Sequence, residues 1–300
     1  MKDQRKAIAF ALSAVLLWST VATAFKIALQ YLTPLQLLSI AAVSSLLVFA
    51  VILTVQQRWL ETWRLARHRS LFYVLQGFIN PAAYYLVLFA AYDQLPAQQA
   101  QAINYTWAIT MSLLAVPFLQ QTLSKKELMA MLLAYGGVFL IATGGNWDFQ
   151  QTNWLGIGLA LFSTLLWASY WLINTKNTDK PVPALFLCFF WGTLWLVGFH
   201  VVYAWWLQQP LLAQLLPQIA IEGIWAGVYV GIFEMGLTFF LWLTAMRLAT
   251  KTAQISTLIF LSPFISLALI YFILDENIQI ATVIGLCLIC LGLYKLKDKQ

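Results

Sequence analysis

The sequence predicts an all-α integral membrane protein: ten transmembrane helices in two inverted five-helix repeats. Three observations predict it. Hydrophobic residues make up 62% of the 300 and charged residues only 9%, where an ordinary soluble domain carries about 25% charged. Apolar runs of roughly 20 residues, the length that crosses a bilayer, recur along the whole chain. Lys and Arg gather in alternate connections between those runs. A mean hydropathy of +0.79 leaves too few polar side chains to cover a soluble fold.

The first span, 7–29, follows MKDQRK directly, with no small-residue cleavage site behind a short core. The second, 34–57, closes in Gln56-Gln57-Arg58. The third, 70–92, follows a connection holding Arg58, Arg64, Arg67 and Arg69 and ends before Asp93. The fourth, 96–119, opens at Pro96, which a first helical turn accepts without losing a needed bond. The fifth, 127–145, follows Lys125-Lys126 and stops at Gly144-Gly145-Asn146. The sixth, 153–174, leads to Lys176 and Lys180. The seventh is 184–207. The eighth, 221–244, precedes Arg247 and Lys251. The ninth, 252–273, ends before Asp275-Glu276. The tenth, 278–295, runs into Lys295, Lys297 and Lys299.

Every Lys and Arg except Lys26 therefore falls on one side of the membrane, while the opposite connections hold Asp93, Asp148, Asp275 and Glu276. A miscounted span would scramble this pattern. The positive-inside rule places both termini in the cytoplasm. The net charge of +6 is explained by that rule and needs no nucleic-acid partner. Cys188, Cys287 and Cys290 lie in apolar runs without ligand-spaced histidines, so packing is expected rather than zinc or redox chemistry. His200 and His68 lack ligand partners, and neither a metal nor a cofactor is expected. No GxxxxGK[ST] sequence occurs. The sparse acids and histidines offer no nucleophile with a base, so no enzyme is expected.

The chain repeats itself. LLWS at 16–19 recurs as LLWAS at 165–169. Ala100-Gln101 recurs as Ala253-Gln254, and Gly137 and Gly144 as Gly285 and Gly292. The offset is half the chain, giving repeats at 1–148 and 149–300. Five spans per half is an odd number, so the second half enters the bilayer from the opposite side. Inverted repeats suit a carrier that alternates between inward- and outward-open states around a central site. A channel is the weaker alternative.

The corner LFAAYDQLPAQQAQAI at 88–103, its partner LWLTAMRLATKTAQIS at 241–256, the LLW motifs and the hairpin at 262–294 resemble the drug/metabolite transporter superfamily, specifically its ten-span EamA-type exporters. Asn104-Tyr105-Thr106-Trp107 is similar to a motif of the aromatic amino acid exporter branch, although Ala108 replaces its proline. The resemblance implies a pocket lined mainly by spans one, three, four, six, eight and nine. It also implies outward movement of amino acids, other small metabolites or organic cations, in the inner membrane of a bacterium. The partners expected are the lipid bilayer, a small-molecule substrate and, for coupling, protons. The oligomeric state stays open.

Glu234 is the foremost candidate residue. It lies about 20 Å by helix rise from the cytoplasmic end marked by Arg247, inside a hydrocarbon layer about 30 Å thick. An acid at that depth faces a bundle or cavity, where it binds a cation, exchanges a proton, or serves as a hydrogen-bonded structural acid. Gln101, Asn104 and Tyr105 share one face of span four, continued by Gln98, and either coordinate a zwitterion or lock helices, while Gln98 and Gln99 themselves are expected at the boundary. Trp18 and Trp167 sit too deep to be interface anchors and either hold a flat or cationic substrate or pack the core. Tyr84, beside Tyr85, is a further candidate, and Asn80-Pro81 is expected to interrupt span three. Lys26 nears the outer surface, where it snorkels or reaches Glu234.

Overall fold

In the computed structural model, residues 2–120, 122–145, 152–174, 176–208, 210, 220–250, 255 and 258–297 are described. Trp147, Asp148, Lys251, Ala253, Gln254 and Lys299, the expected start of span nine and the expected repeat boundary lie outside them. Eight described helices are long and apolar enough to cross a membrane: α1 (Gln4–Leu29), α2 (Pro34–Val55), α4 (Ser70–Gln94), α5 (Ala97–Leu119), α6 (Lys125–Thr143), α7 (Trp154–Asn174), α8 (Pro181–Trp206) and α9 (Ile221–Leu248). The shorter apolar helices α10 (Leu258–Leu274) and α11 (Ile280–Lys295) bring the described spans to ten. A surface helix, α3 (Trp59–His68), joins α2 to α4.

Local sequence explains where helices start and stop. Asp3 caps α1, its carboxylate accepting from the Lys6 amide at 3.1 Å. Thr33 and Gln36 form a reciprocal capping box ahead of Pro34 in α2, and Ser124 with Glu127 does the same for α6. Pro181 occupies the first turn of α8, where its missing N–H is harmless. Gly144 ends α6 at φ +61°, a left-handed conformation open to glycine at no steric cost. Residues Leu258–Leu261 are a 3₁₀ turn, and Pro263 follows in the first turn of the α-helical part.

The chain divides into two compact units that are not its sequence halves: residues 1–86 with 178–266, and 87–177 with 267–300. In the first unit, α8 lies along α2 and α4, while α9 lies along α1 and α2. Two glycines make matched close approaches. A Cβ on Gly77 of α4 would fall 2.6 Å from the Cys188 carbonyl of α8. One on Gly231 of α9 would fall 2.4 Å from the Ala41 carbonyl of α2. These are the third helix of each repeat meeting the second helix of the other. Ser45 adds a hydrogen bond to the Gly231 carbonyl at 2.8 Å.

The second unit pairs the last helices of the two repeats. A Cβ on Gly137 of α6 would lie 2.4 Å from the Gly285 carbonyl of α11, and one on Gly285 would lie 2.6 Å from the Gly137 carbonyl. Of the two repeated glycine pairs, Gly137 and Gly285 thus face one another within the chain, while Gly144 lies against Gln279 and Gly292 against Ala130 and Ala134.

Connections also gather as the charge map requires. At the basic end of the first unit, Arg69 pairs with Asp179, to which Tyr73 donates at 2.6 Å, and Lys180 meets Glu61 at 3.2 Å. The Asp3 amide there donates to the Leu248 carbonyl at 2.8 Å. In the second unit, Gln98 bonds the Asn277 carbonyl and the Gln279 amide, and Asn153 donates to the Gln94 carbonyl at 2.9 Å.

Candidate functional site

Helix interruptions mark the middle of both units. In the first, α1 breaks at Thr20 between Gln4–Ser19 and Val21–Leu29. Helix α4 passes through a π-helical stretch, Phe78–Ala83, in which Asn80 is extended at φ −144°, ψ 118°. Helix α9 passes through another, Val230–Leu237. In the second unit, α5 breaks at Tyr105-Thr106, between Ala97–Asn104 and Trp107–Leu119. The 3₁₀ turn at Leu258–Leu261 is the repeat counterpart of that break. Inside a membrane, irregular backbone is tolerated where protein or a wet cavity covers it, and π turns recur at functional positions.

Glu234 lies in the π stretch of α9. Tyr85 of α4 donates to its Oε1 at 3.3 Å, and the Trp18 indole also faces the carboxyl group. Oε2 is buried and unpartnered among the described residues. Tyr85 is 1% exposed and packs edge-on against Tyr84, ring centroids 4.7 Å apart. Trp18 packs on Phe239 at 6.1 Å and Trp242 at 5.4 Å. Nearby helices are joined by Thr20 and Tyr229, whose hydroxyls are 2.8 Å apart. The arrangement is a carboxyl group with one free oxygen in an aromatic wall, suited to a proton or an ammonium group.

The matched glycines reveal an equivalence. Counting three residues from Gly77 gives Asn80, and three from Gly231 gives Glu234. Asn80 is fully buried, and neither its Oδ1 nor its Nδ2 has a partner among the described residues. Both repeats therefore place a polar side chain with unmet hydrogen-bonding capacity at the same point of an interrupted helix. The sequence reading used Asn80 only as a kink. The signal was the glycine three residues before each polar group.

In the second unit, Asn104 donates to Ser163 Oγ at 3.0 Å, and the Thr110 and Thr164 hydroxyls are 2.9 Å apart. These bonds join α5 to α7 across the break. Gln101 is buried, and Tyr105 is half-buried at the break itself. Gln98 is held at the end of the helix by its bonds to the α10–α11 connection. Trp167 is 8% exposed and packs on Trp107, Tyr170 and Trp171, which favours core packing for that residue. Ser163 and Thr164 went unremarked in sequence, although they directly precede the LLW motif.

Lys26 is half-buried in the last turn of Val21–Leu29, where a cation complements the negative end of the helix dipole. It is not among the side chains set against Glu234, so the direct pair is not formed. His200 is buried, with Nε2 and Ser39 Oγ 2.9 Å apart. Among the described residues no group of three His, Cys, Asp or Glu side chains is placed to hold a metal.

Residues 5–143 and 154–296 each match the EamA-like transporter family. The chain belongs to the EamA-like transporter family. Its two matches are the two five-helix repeats of a multi-pass membrane transporter, not an enzyme. This EamA-like transporter is similar to an uncharacterized transporter of Clostridium kluyveri, 26% identical over 64% of each chain, just under two thirds of that relative's length. It is also similar to protein PecM of Dickeya dadantii, 25% identical over 74% of this chain and 72% of that one. A protein of known crystal structure shares its fold, with a TM-score of 0.66, 19% identity and coverage of 98% and 96%.

Proposed function

We propose that the transporter exports small metabolites across a bacterial inner membrane by alternating access, with amino acids, aromatic ones among them, as the substrate class. Both termini would lie in the cytoplasm, and the repeats would divide between residues 148 and 149. The observation that carries this reading is Glu234, with a free, buried Oε2 and a Tyr85 hydrogen bond. A substrate ammonium or a proton would take that oxygen. The second polar group, Asn80, offers a donor and an acceptor of the kind a zwitterion needs. Gln101, Asn104, Tyr105, Trp167, Tyr84 and Lys26 remain candidates for lining or gating the pathway. Efflux of organic cations is the second reading, favoured by the Trp18–Phe239–Trp242 wall beside the carboxyl.

The test is uptake into liposomes holding the purified transporter, with a panel of radiolabelled amino acids and organic cations, with and without a pH gradient. Saturable, gradient-sensitive flux of an amino acid supports the first reading, and of a cation alone the second. Large unsaturable currents would sink both.

A further inference from the structure

The basic end of the first unit carries a cavity that the transport reading does not use. It has a volume of about 270 Å³ and is open on one side. Its walls come from the end of α2 (Gln56, Arg58), the start of α8 (Pro181, Val182) and the last turns of α9 (Phe240, Leu243, Arg247). Two of these three helices, α2 and α8, lie outside the set from which the family resemblance builds a substrate pocket.

Its chemistry is divided. Arg58, in the connection after α2, and Arg247, in the last turn of α9, supply two guanidinium groups, and Val182, Phe240 and Leu243 supply an apolar wall. No acid lines it. The described acids at this end of the unit are already engaged: Asp3 with Lys6, Glu61 with Lys180, and Asp179 with Arg69. Arg58 and Arg247 thus stand without a carboxylate partner among the described residues. A water's share of liquid volume is about 30 Å³, so the space is large enough for a phosphodiester and the first methylenes of a chain. Guanidinium forks match phosphate oxygens geometrically.

We propose that this cavity binds one anionic phospholipid, its phosphate between Arg58 and Arg247 and an acyl chain along Val182, Phe240 and Leu243. The position suits this occupant. The arginines sit at the membrane-facing ends of spans, where headgroups lie, and the apolar wall continues along α9 toward the hydrocarbon. Basic pockets between spans on this side are a recurring form of headgroup recognition. The lipid would tie the ends of α2, α8 and α9 together.

The experiment is native mass spectrometry of the full chain in detergent, titrated with phosphatidylglycerol, with phosphatidylcholine, and with phosphatidylglycerol plus inorganic phosphate. The expected result is one phosphatidylglycerol bound at least tenfold more tightly than phosphatidylcholine and not displaced by millimolar phosphate. The Arg58→Gln/Arg247→Gln protein should fall to the phosphatidylcholine level, while Lys125→Gln/Lys126→Gln, equal in charge removed, should keep the preference. Each single arginine variant should lose part of it, which guards against misfolding of the double variant. Equal binding of the two lipids, undiminished binding by Arg58→Gln/Arg247→Gln, loss in the lysine variant, or displacement by phosphate alone would each overturn the proposal.

Discussion

A buried side chain that leaves hydrogen-bonding atoms unused costs about 1–3 kcal/mol, and it persists where function needs it. Glu234 and Asn80 are two such side chains. Glu234→Gln keeps the shape and one acceptor but cannot carry a proton or a full negative charge. We expect gradient-driven uptake to fall at least tenfold, with the unfolding temperature in detergent unchanged within a few degrees. Uptake as sensitive to the pH gradient as in the parent would remove Glu234 from coupling. Asn80→Leu has the opposite signature on stability. It removes two unmet polar atoms, so stability should hold or rise by about 1 kcal/mol, while transport should drop several-fold. A fall in stability with normal transport would make Asn80 purely structural. Tyr85→Phe, losing one hydrogen bond, should cost about 0.6 kcal/mol, the average for polar pairs between membrane helices. At the surface, the Lys6 amide bonded to Asp3 holds its carboxyl below the usual value. A lowered carboxyl value means the cap's contribution is present at neutral pH and is lost as pH falls through that lowered value. Asp3→Asn should keep the cap and abolish this acid dependence in thermal melts followed from pH 7 downward.

At the scale of elements, close approach decides which glycines are replaceable. Gly136 and Gly137 are neighbours in α6, yet a Cβ on Gly136 meets nothing within 4 Å, whereas one on Gly137 would strike the Gly285 carbonyl at 2.4 Å. Gly136→Ala should stabilise by about 0.5–1 kcal/mol through lower backbone entropy in the unfolded chain. Gly137→Ala should destabilise by about 1–3 kcal/mol by forcing α6 and α11 apart. Thermal unfolding of the two variants in the same detergent checks the sign. Equal effects would mean that the glycine contact does not hold these helices. Gly77→Ala and Gly231→Ala should behave like Gly137→Ala, each by pushing an interrupted helix off its neighbour. The interruptions themselves were only partly legible. Asn80-Pro81 announced the one in α4, because proline removes a donor and clashes with the preceding turn. Nothing comparable announces the π stretch around Glu234. The break at Tyr105-Thr106 carries no proline or glycine either.

For the whole molecule, sidedness is the property most open to test. Single cysteines introduced at Arg64 and Asn277, on either side of the charge map, should differ in intact cells. An impermeant thiol reagent should modify Asn277→Cys and spare Arg64→Cys until the membrane is opened. The reverse pattern would invert the proposed orientation, and equal labelling would break the ten-span count. Cys188, Cys287 and Cys290 lie within spans, so the reagent should meet little background.

The sequence by itself determined the class, the ten spans, the segregation of charge and the existence of two repeats. Each of these depends on composition or on counting along the chain, because a bilayer imposes its thickness and its charge rule on every span alike. Glu234 was also legible, since an isolated acid at mid-membrane depth is costly anywhere in the fold. Only the tertiary structure decided what each polar group meets. It gave Glu234 to Tyr85 rather than to Lys26, gave Asn104 to Ser163, turned Gly137 and Gly285 against one another, and made Asn80 the repeat counterpart of Glu234. These pairings join residues far apart in the chain. They follow from close backbone approach and helix interruption, which local propensity does not encode.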